Sequence, residues 1–446
     1  MKRISTYLYI VVVALVVAAF CVVFNFFPRS TVSELEGREL AKFPTFAWDK
    51  FWSGKYMSEL SSWYSDSEPY RDRFMTLSME VDKAKKLNLL IKEEDSVTFI
   101  AGDDEESTAT EQTEEVAEAE MPQEAADSLQ QMAAEAKSKI ANSGIVLVGS
   151  EPRVRAMMAY RNKPTSCNSF AAMANRYKRT LGEGVNVYCM IIPTAIEFYC
   201  PEKAKSKMKS QLEAITEAYS QLDSTVVAVD VYTPLNNHRH ENIYLRTDHH
   251  WSPRGGYYAA KALAEAAKLP FNDLSHYDEH IITGYVGSMY RYSKDISVKR
   301  SPEDFYYYKP REVEHKTTYI NYMIDESYNV TGEAAPVAGN YFYTFKNGSG
   351  NAYCTFMGGD SKITQVRTST KNGRRVLIVK DSFGNAIPGY LFYSFEEIHV
   401  VDLRYFTRNI VKYVKQNEIT DFVLAHNIVF AAAGTTMSAY SRFLTQ

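Results

Sequence analysis

Short, nearly continuous apolar runs recur through the second half of the chain, and stretches with the apolar spacing of helices separate many of them. The runs have the length of strands and occupy residues 144–150, 185–193, 225–232, 374–382, 396–404 and 420–427. The helical stretches include residues 203–222, 255–269 and 407–417. Uninterrupted Val, Ile and Leu strands alternating with helices are typical of a parallel sheet covered on both faces. We therefore predict an α/β domain whose active site lies beyond the carboxyl ends of the strands.

The alternation is interrupted at about residues 284–370, where tyrosines and short alternating runs indicate antiparallel strands and turns. We predict that this Tyr-rich β segment is inserted into the α/β domain before the strand that ends near residue 382. Two interpretations of the segment remain open. It would form one wall of a carbohydrate cleft, or it would be a structural cap.

The first thirty residues combine a basic start with a long apolar stretch. Lys2 and Arg3 precede an apolar stretch at residues 7–27, which is long enough to span a hydrocarbon core of about 30 Å. The stretch ends in FNFFPRS, without the small-residue cleavage site of a secretory signal peptide. We predict that residues 1–30 are a cytoplasmic tip and an uncleaved transmembrane signal-anchor. The rest of the chain is then expected outside the cytoplasm, at the cell surface or in the periplasm.

Two segments separate this signal-anchor from the α/β domain. In residues 31–100, charges are interleaved with Phe, Trp and Tyr, and we predict a helical, aromatic segment that packs on the catalytic domain. Residues 101–135 are acidic and almost free of aromatics, a composition that cannot bury enough apolar surface to fold alone. We predict an exposed, disordered acidic insertion there, and assign residues 136–446 to the catalytic domain.

Charge and cysteine usage narrow the classes of function. The net charge of −4 gives no electrostatic reason to expect a nucleic-acid partner. The five cysteines show no zinc-site spacing, and neither a metal nor another cofactor is expected. Cys189 and Cys200 flank a predicted strand and loop, and they are either buried thiols or a disulfide formed in an oxidising compartment.

The stretch LRTDHHWSPRGG, residues 245–256, contains an aspartate, two histidines and a tryptophan side by side. Residues two apart do not share a helix face, so Asp248 and His250 can cooperate only on a turn or an extended segment. Ser252 is a suitable N-cap and Pro253 a suitable first helical residue. We therefore predict that the quartet lies on a loop directly before a helix, a place suited to catalysis.

A serine nucleophile needs a histidine base and a carboxylate that orients the base. Ser382 follows a buried strand in VLIVKDSFGNAIPGYL and precedes an expected helix, whose first amides would stabilise an oxyanion. The competing interpretation is that Ser382 only caps that helix. Ser361, in MGGDSKITQ, is a second candidate, but no buried strand precedes it and no helix is expected after it. The context therefore favours Ser382.

Several blocks carry a family resemblance: EGREL with KFP at residues 36–44, YSDSEPYRDRF at 64–74, MIIPTAIEFYCPEK at 190–203, TDHHW and KDSFGNA. Together they resemble the DHHW proteins, relatives of the alginate O-acetyltransferases in the SGNH hydrolase-like superfamily. The resemblance implies a three-layer, flavodoxin-like sheet and a triad of Asp248, His250 and Ser382. In that triad the aspartate orients the histidine, which is the base for the serine. Lys-Asp-Ser departs from the pattern of the alginate enzymes, which leaves the substrate open.

Four further residues are candidates for the oxyanion hole or for substrate binding. Asn427 resembles the asparagine donor of the superfamily, beside the backbone N–H of the nucleophile, and its alternative role is to form a turn. Arg404 would bind acyl or sugar oxygens, or form an ion pair with a nearby carboxylate. His249 and Trp251, the neighbours of the base, complete the set, with a supporting role for His249.

The sequence favours a serine-dependent O-acetyltransferase or acetylesterase that acts on a cell-envelope or exported polysaccharide. By family analogy, a membrane-bound O-acyltransferase would supply the acyl group. The main alternative is a non-catalytic glycan-binding or assembly protein that keeps the fold with an idle triad. A metal-dependent phosphoesterase is a third hypothesis because DHH also occurs in such enzymes, but their further Asp clusters and glycine-rich His motif are not found.

Overall fold

The computed structural model describes most of the chain outside the acidic segment. The described residues are 13–15, 18, 22, 29–33, 38–89, 97–100, 144–324 and 330–445. Most of the expected signal-anchor and all of residues 101–135 lie outside them, and both stay predictions. No helix among the described residues has the length and apolar character required to cross a membrane. The chain divides into two compact units, residues 1–92 with 108–115 and residues 93–107 with 116–446.

Three helices and a pair of very short strands are described in the first unit. The elements are β1 (Val32–Ser33), β2 (Arg38–Glu39), α1 (Trp48–Trp52), α2 (Lys55–Asp66) and α3 (Arg71–Leu89). Buried Asp66 accepts a hydrogen bond from the backbone N–H of Ala41 at 2.9 Å. Ser33 Oγ donates to Asp72 Oδ1 at 2.6 Å. These two bonds tie the chain before the helices to α2 and α3.

The second unit begins with a three-stranded antiparallel sheet of β3 (Val97–Ile100), β4 (Ile145–Val148) and β5 (Arg155–Met158). The apolar run at residues 144–150 is a strand, as predicted, but it lies in this small sheet and not in the central one. The connection from β4 to β5 is short, residues 149–154. A connection of this length joins antiparallel strands, because a parallel crossover needs a dozen or more residues.

The strands that follow are β6 (Asn186–Ile192), β7 (Val226–Ala228), β8 (Tyr277–Tyr285), β9 (Glu303–Pro310), β10 (His315–Ile324), β11 (Val330–Glu333), β12 (Val337–Gly339), β13 (Lys362–Thr368), β14 (Arg375–Lys380), β15 (Glu397–Asp402) and β16 (Asp421–Asn427). Nine of them form the central sheet in the order β11-β10-β13-β15-β14-β16-β6-β7, with β12 also paired to β10. The neighbours β15-β14-β16-β6-β7 are parallel, as predicted. The remaining four pair antiparallel. The central sheet is therefore mixed, because strands of the predicted antiparallel segment join the predicted parallel strands instead of staying separate from them.

The parallel strands have the flavodoxin-like spatial order that the resemblance implies, but in a circularly permuted chain order. In chain order the five strands run 2-1-5-3-4 across the sheet, whereas a flavodoxin-like sheet runs 2-1-3-4-5. The last strand, β16, lies between β14 and β6, and β13 from the Tyr-rich segment pairs with the outer side of β15. Counted from the strand that precedes the serine, as β14, β15, β16, β6 and β7, the same five strands read 2-1-3-4-5 across the sheet.

The helices of the second unit are α4 (Asn168–Leu181), α5 (Ala195–Tyr199), α6 (Glu202–Lys205), α7 (Gln211–Ser220), α8 (Tyr232–Asn237), α9 (Pro253–Ala266), α10 (Met289–Ser293), α11 (Ile296–Lys299), α12 (Ile410–Gln416), α13 (Ile428–Ala431) and α14 (Gly434–Phe443). Tyr177 of α4 stacks on Phe422 of β16, with ring centroids 5.0 Å apart. The stretch 203–222 forms two helices instead of one, because Ser210 accepts a hydrogen bond from the backbone N–H of Glu213 and caps α7.

The Tyr-rich segment consists of antiparallel strands, as predicted, but these strands divide between two sheets. β8 and β9 pair only with each other and form the β8–β9 hairpin. β10 to β13 extend the central sheet at the side of β15. The central strands β14 and β16 are buried along almost their whole length. Side chains at their carboxyl ends therefore meet at one edge of the sheet, where the site was expected.

The cysteines of the described chain are free thiols: Cys167, Cys189, Cys200 and Cys354. Cys189 and Cys200 are therefore separate thiols in the structure and do not form a disulfide. Burial raises the pKa of the Cys167 thiol to about 11, so this thiol stays protonated and is a poor nucleophile near neutral pH.

Candidate active site

The motif residues lie on a tight loop, residues 247–252, which we call the DHHW loop. Tyr244 and Trp251 form an isolated antiparallel bridge across its base. Ser252 caps α9, since its Oγ accepts a backbone N–H of the first turn, and Pro253 is the first helical residue. The predicted start of this helix is confirmed, and the capped helix fixes one end of the loop.

Ser382 lies directly after β14, at the carboxyl end of a buried parallel strand. Asp381 caps the turn that carries Ser382 by accepting one of its backbone N–H groups at 2.9 Å. The chain then forms two 3₁₀ segments, Ser382–Ala386 and Pro388–Leu391, and not the predicted α-helix. Pro388 has no N–H to donate and disfavours helical geometry in the residue before it, so a regular helix does not form.

The structure brings Asp248, His250 and Ser382 into one chain of hydrogen bonds. Asp248 Oδ1 lies 2.6 Å from His250 Nδ1, and His250 Nε2 lies 2.7 Å from Ser382 Oγ, although the histidine and serine are 132 residues apart in sequence. All three side chains are buried. A neutral imidazole with its proton on Nδ1 satisfies both bonds, because it donates to the carboxylate and accepts from the hydroxyl.

The Asp248 carboxylate is held by four hydrogen bonds. Oδ1 accepts from the backbone N–H of His250 at 2.9 Å and from its Nδ1. Oδ2 accepts from Tyr285 Oη and from the backbone N–H of Ser288, both at 2.8 Å. Burial raises the pKa of Asp248, but the neighbouring histidines and these bonds outweigh it and hold the pKa well below its usual range. The carboxylate therefore stays ionised at neutral pH.

His249 packs against the imidazole of the base. The ring centroids of His249 and His250 are 3.8 Å apart, and His249 Nδ1 lies 2.6 Å from Ser288 Oγ. Burial, together with the charge of the neighbouring histidine, lowers the pKa of His249 to about 3. His249 is therefore neutral near pH 7, and its contacts fit the supporting role that the sequence suggested.

Trp251 lies in the interior of the domain. Its side chain is fully buried, and Nε1 donates to the backbone carbonyl of Phe383 at 2.9 Å. Phe383 is the residue that follows Ser382. Trp251 therefore ties the DHHW loop to the turn of the serine, which corrects its place among the substrate-binding candidates.

Arg404 forms ion pairs with nearby carboxylates, which was one of the two roles predicted for it. Its guanidinium donates to both Asp402 oxygens at 2.8 Å and to Asp360 at 3.0 Å. Lys380 pairs with the same two carboxylates. Asp360, Lys380 and Asp402 are buried, and 8% of the Arg404 side chain is exposed. The two cations and the two carboxylates neutralise one another, and these ion pairs occupy Nε and Nη2 of the guanidinium.

Asn427 lies at the end of β16, and its side-chain oxygen accepts the backbone N–H groups of Val429 and Phe430. This is the turn-forming role, and it engages the side-chain oxygen of Asn427 but not the side-chain nitrogen. The backbone N–H of Asn427 donates to Asp381 Oδ2 at 2.7 Å. Asp381 therefore couples the end of β16 to the turn of Ser382, a function that sequence reasoning missed.

The second serine candidate, Ser361, is fully buried directly before β13. Its neighbour Asp360 belongs to the buried ion cluster with Lys380 and Arg404. The imidazole of His250 is hydrogen-bonded to Ser382. The strand-to-turn context thus selected the serine that is hydrogen-bonded to a histidine.

Residues of the β8–β9 hairpin, and residues directly after β8, are hydrogen-bonded to the DHHW loop. Buried Glu303 of β9 accepts the backbone N–H and the hydroxyl of Thr247 at 2.6 and 2.7 Å. Tyr285 and Ser288, at and after the end of β8, bind the Asp248 carboxylate. No spacing in the sequence links these residues to the motif, and sequence reasoning missed all of them. The contacts fit a structural cap better than a carbohydrate wall.

Gly287 lies against Asp248 so closely that no side chain fits. A Cβ added there would lie 2.4 Å from both Cβ and Oδ2 of Asp248. We expect Gly287→Ala to displace the carboxylate, lower stability by about 1–3 kcal/mol and lower kcat/KM for an acetyl ester by about tenfold or more. Thermal unfolding and ester hydrolysis measure the two effects.

Gly350→Ala is the matched control, because its added Cβ would meet only the Val286 carbonyl at 3.7 Å, an ordinary contact. This variant should keep the activity and melting temperature of the wild-type protein. Equal behaviour of the two alanine variants would show that close packing on Asp248 is not required.

Asp248, His249 and His250 are also the group of described residues whose ligand atoms are close enough together to hold a metal ion. Those atoms are already engaged, since Asp248 Oδ1 accepts from His250 and His249 Nδ1 bonds to Ser288 Oγ. The two histidine rings are also packed together, with centroids 3.8 Å apart and an interplanar angle of 38°. The geometry fits a hydrogen-bonded relay better than a metal centre.

Comparisons with known proteins agree with this architecture. The family model described as DHHW protein matches residues 120–401. A DHHW family protein from Eubacterium siraeum is 36% identical, covers 67% of this chain and 94% of its own, and superposes with a TM-score of 0.59. No curated protein matches the chain.

Bacillus cereus PatB1 shares the fold at low identity. Its structure with a sulfonyl adduct is 16% identical, covers 66% of this chain and 96% of its own, and has a TM-score of 0.51. The structure of PatB1 alone gives 17% identity, coverage of 66% and 99%, and a TM-score of 0.50. The family-model match and the identity to the Eubacterium siraeum protein together show that the chain belongs to the DHHW family.

Proposed function

We propose that this protein is a serine-dependent O-acetyltransferase or acetylesterase that acts on a cell-envelope or exported polysaccharide. The observation that carries the proposal is the pair of hydrogen bonds at His250, 2.6 Å to Asp248 and 2.7 Å to Ser382. An imidazole held between a carboxylate and a hydroxyl at a strand end is the arrangement that activates a serine for acyl transfer. The relation to acetyl-transferring proteins and the polysaccharide come from the family resemblance.

In the proposed reaction, His250 Nε2 takes the proton of Ser382 while Oγ attacks the carbonyl carbon of an acetyl ester. The resulting imidazolium, stabilised by the ionised Asp248, gives that proton to the oxygen of the leaving alcohol. An acetyl-serine remains. A sugar hydroxyl or a water then loses a proton to His250 and attacks the acetyl carbon, and the proton returns to Ser382 as its oxygen leaves.

The tetrahedral intermediate needs donors for its negative oxygen. In the turn of the serine, the backbone N–H groups of Phe383 and Gly384 already donate to Asp381. We therefore assign the backbone N–H of Ser382 as the first donor. The side-chain amide of Asn427 is the second, since its oxygen is occupied by the following turn and its nitrogen is the remaining polar atom.

The proposal includes the location of the protein and the source of its acyl group. The apolar stretch at residues 7–27 would anchor the chain in the membrane and keep the catalytic unit outside the cytoplasm. A membrane-bound O-acyltransferase would then supply the acyl group by family analogy. A non-catalytic glycan-binding protein is the alternative, but it has no use for a hydroxyl aligned on an imidazole nitrogen.

The proposal is tested with phenylmethylsulfonyl fluoride, which modifies activated serines. We expect the full chain to hydrolyse a simple acetyl ester, to lose this activity on treatment, and to carry the sulfonyl group on Ser382 in a mass spectrum of its peptides. A chelator should leave the rate unchanged. Loss of activity on chelation with recovery on added Mn²⁺ would favour the phosphoesterase hypothesis, and an unmodified Ser382 would contradict the proposal.

A further inference from the structure

The imidazole of His250 is enclosed between two rings. Tyr353, in the 3₁₀ turn Ala352–Thr355, lies parallel to it with ring centroids 3.9 Å apart and an interplanar angle of 6°. His249 covers the opposite face at 3.8 Å. Both nitrogens of His250 are bound at its edge, to Asp248 and Ser382. The two neighbouring rings therefore restrict tilting of the His250 ring, and the two hydrogen bonds fix its nitrogens.

Several contacts fix the ring of Tyr353 in this stacked position. Its hydroxyl donates to the Phe383 carbonyl at 3.2 Å, the same carbonyl that Trp251 binds. Phe356 and Phe305 lie edge-on to the ring at 6.1 and 6.4 Å. Burial raises the pKa of the Tyr353 phenol well above its usual value. The ring is thus a neutral, electron-rich face that does not turn away from the imidazole.

We propose that Tyr353 is a positioning residue for acyl transfer, whose ring face stabilises the imidazolium form of His250 and keeps its plane aligned on Asp248 and Ser382. The face of an aromatic ring is negative and attracts a cation more strongly than a neutral ring. The attraction therefore grows when His250 takes the proton of the serine, which favours the transition state over the ground state. This inference rests on the proposed function, since the imidazolium contributes to catalysis only if His250 takes the proton of Ser382.

The other groups around the base are unchanged when Tyr353 alone is substituted. Asp248 faces Nδ1, Ser382 faces Nε2 and neutral His249 covers the second face. More remote groups that act on these residues electrostatically or by hydrogen bonds are Tyr285, Cys354, Asp381 and Arg291. If the pH dependence of kcat/KM changes in a variant of Tyr353, the change is therefore due to the loss of the aromatic face beside His250.

The test compares Tyr353→Leu, which removes the aromatic face but keeps the site apolar, with Tyr353→Phe, which keeps the face and removes the hydroxyl. For Tyr353→Leu we expect the acid limb of the kcat/KM profile for an acetyl ester to move to lower pH by about half a unit to one unit. Its plateau should fall about two- to fivefold. Tyr353→Phe should keep the wild-type limb and a rate within about twofold, because Trp251 still holds the Phe383 carbonyl.

The rate of inactivation by phenylmethylsulfonyl fluoride, measured over the same pH range, gives a second readout that needs no substrate. A circular-dichroism melt checks folding, and Tyr353→Met, a flexible side chain without a ring, replaces the leucine variant if that variant is unfolded. An unmoved limb in the Leu or Met variant, or equal losses in the Leu and Phe variants, would overturn the inference. If wild-type Ser382 is not modified at all, the proposed function fails instead.

Discussion

Replacing Ser382 by alanine should abolish hydrolysis of an acetyl ester. Without Oγ there is no atom for His250 to deprotonate and no acyl-enzyme, so only the residual effect of binding and oxyanion donors remains. Loss of a triad nucleophile lowers kcat by about 10⁶ in the best-studied hydrolase, and we expect a loss of at least about 10³ here. Initial rates of the full-length variant, together with labelling by a serine-reactive phosphonate, measure the effect.

Ser361→Ala is the control for this experiment, because Ser361 was the competing candidate and is buried beside the ion cluster. It should retain activity and labelling. A Ser382→Ala protein that is still labelled by the phosphonate would refute the assignment of the nucleophile. Loss of labelling in Ser361→Ala alone, in a protein that melts like the wild type, would transfer the role to the other serine.

The two histidines of the motif should respond very differently to substitution. His250→Ala removes the base, and we expect kcat to fall by at least about 10³, close to the effect of removing the serine. His249→Gln keeps a polar side chain near Ser288 Oγ and should lower kcat by no more than about tenfold, because His249 only packs against the base. Rates at saturating acetyl ester separate kcat from KM.

A combined variant sharpens the comparison. If His250 and Ser382 act as a unit, the double alanine variant should be no slower than either single variant. If the loss of kcat in the double variant equals the product of the two single losses, the two residues act independently. A larger effect of His249→Gln than of His250→Ala would reverse the assignment of the working histidine.

The local sequence was sufficient to identify the pieces of the site. The Val- and Ile-rich runs ending at Lys380 and Asn427 are buried parallel strands, and Ser252 with Pro253 begins a helix. The DHHW loop and Ser382 were therefore assigned correctly to segments that end or begin at one edge of the sheet. These features depend on neighbouring residues, whose spacing and capping chemistry are visible in the chain.

The roles of individual polar residues were less predictable. Arg404 and Trp251 were candidates for the substrate, yet one is neutralised by Asp360 and Asp402 and the other is buried against Phe383. Both lie at loops beside the nucleophile, as a substrate ligand would. Whether such a side chain turns inwards depends on a partner that the local sequence does not reveal.

By itself, the sequence determined where most of the strands and helices lie, the loop that carries the motif, and the serine most suited to be a nucleophile. The tertiary structure alone decided that the sheet is mixed, that β16 enters its centre, and that Tyr285, Ser288 and Tyr353 surround the relay. Strand and helix patterns are set by burial and backbone preference over a few residues. The environment of Asp248 and His250 is built from side chains tens of residues away in the chain, and only the packing of the sheet and the hairpin brings them together.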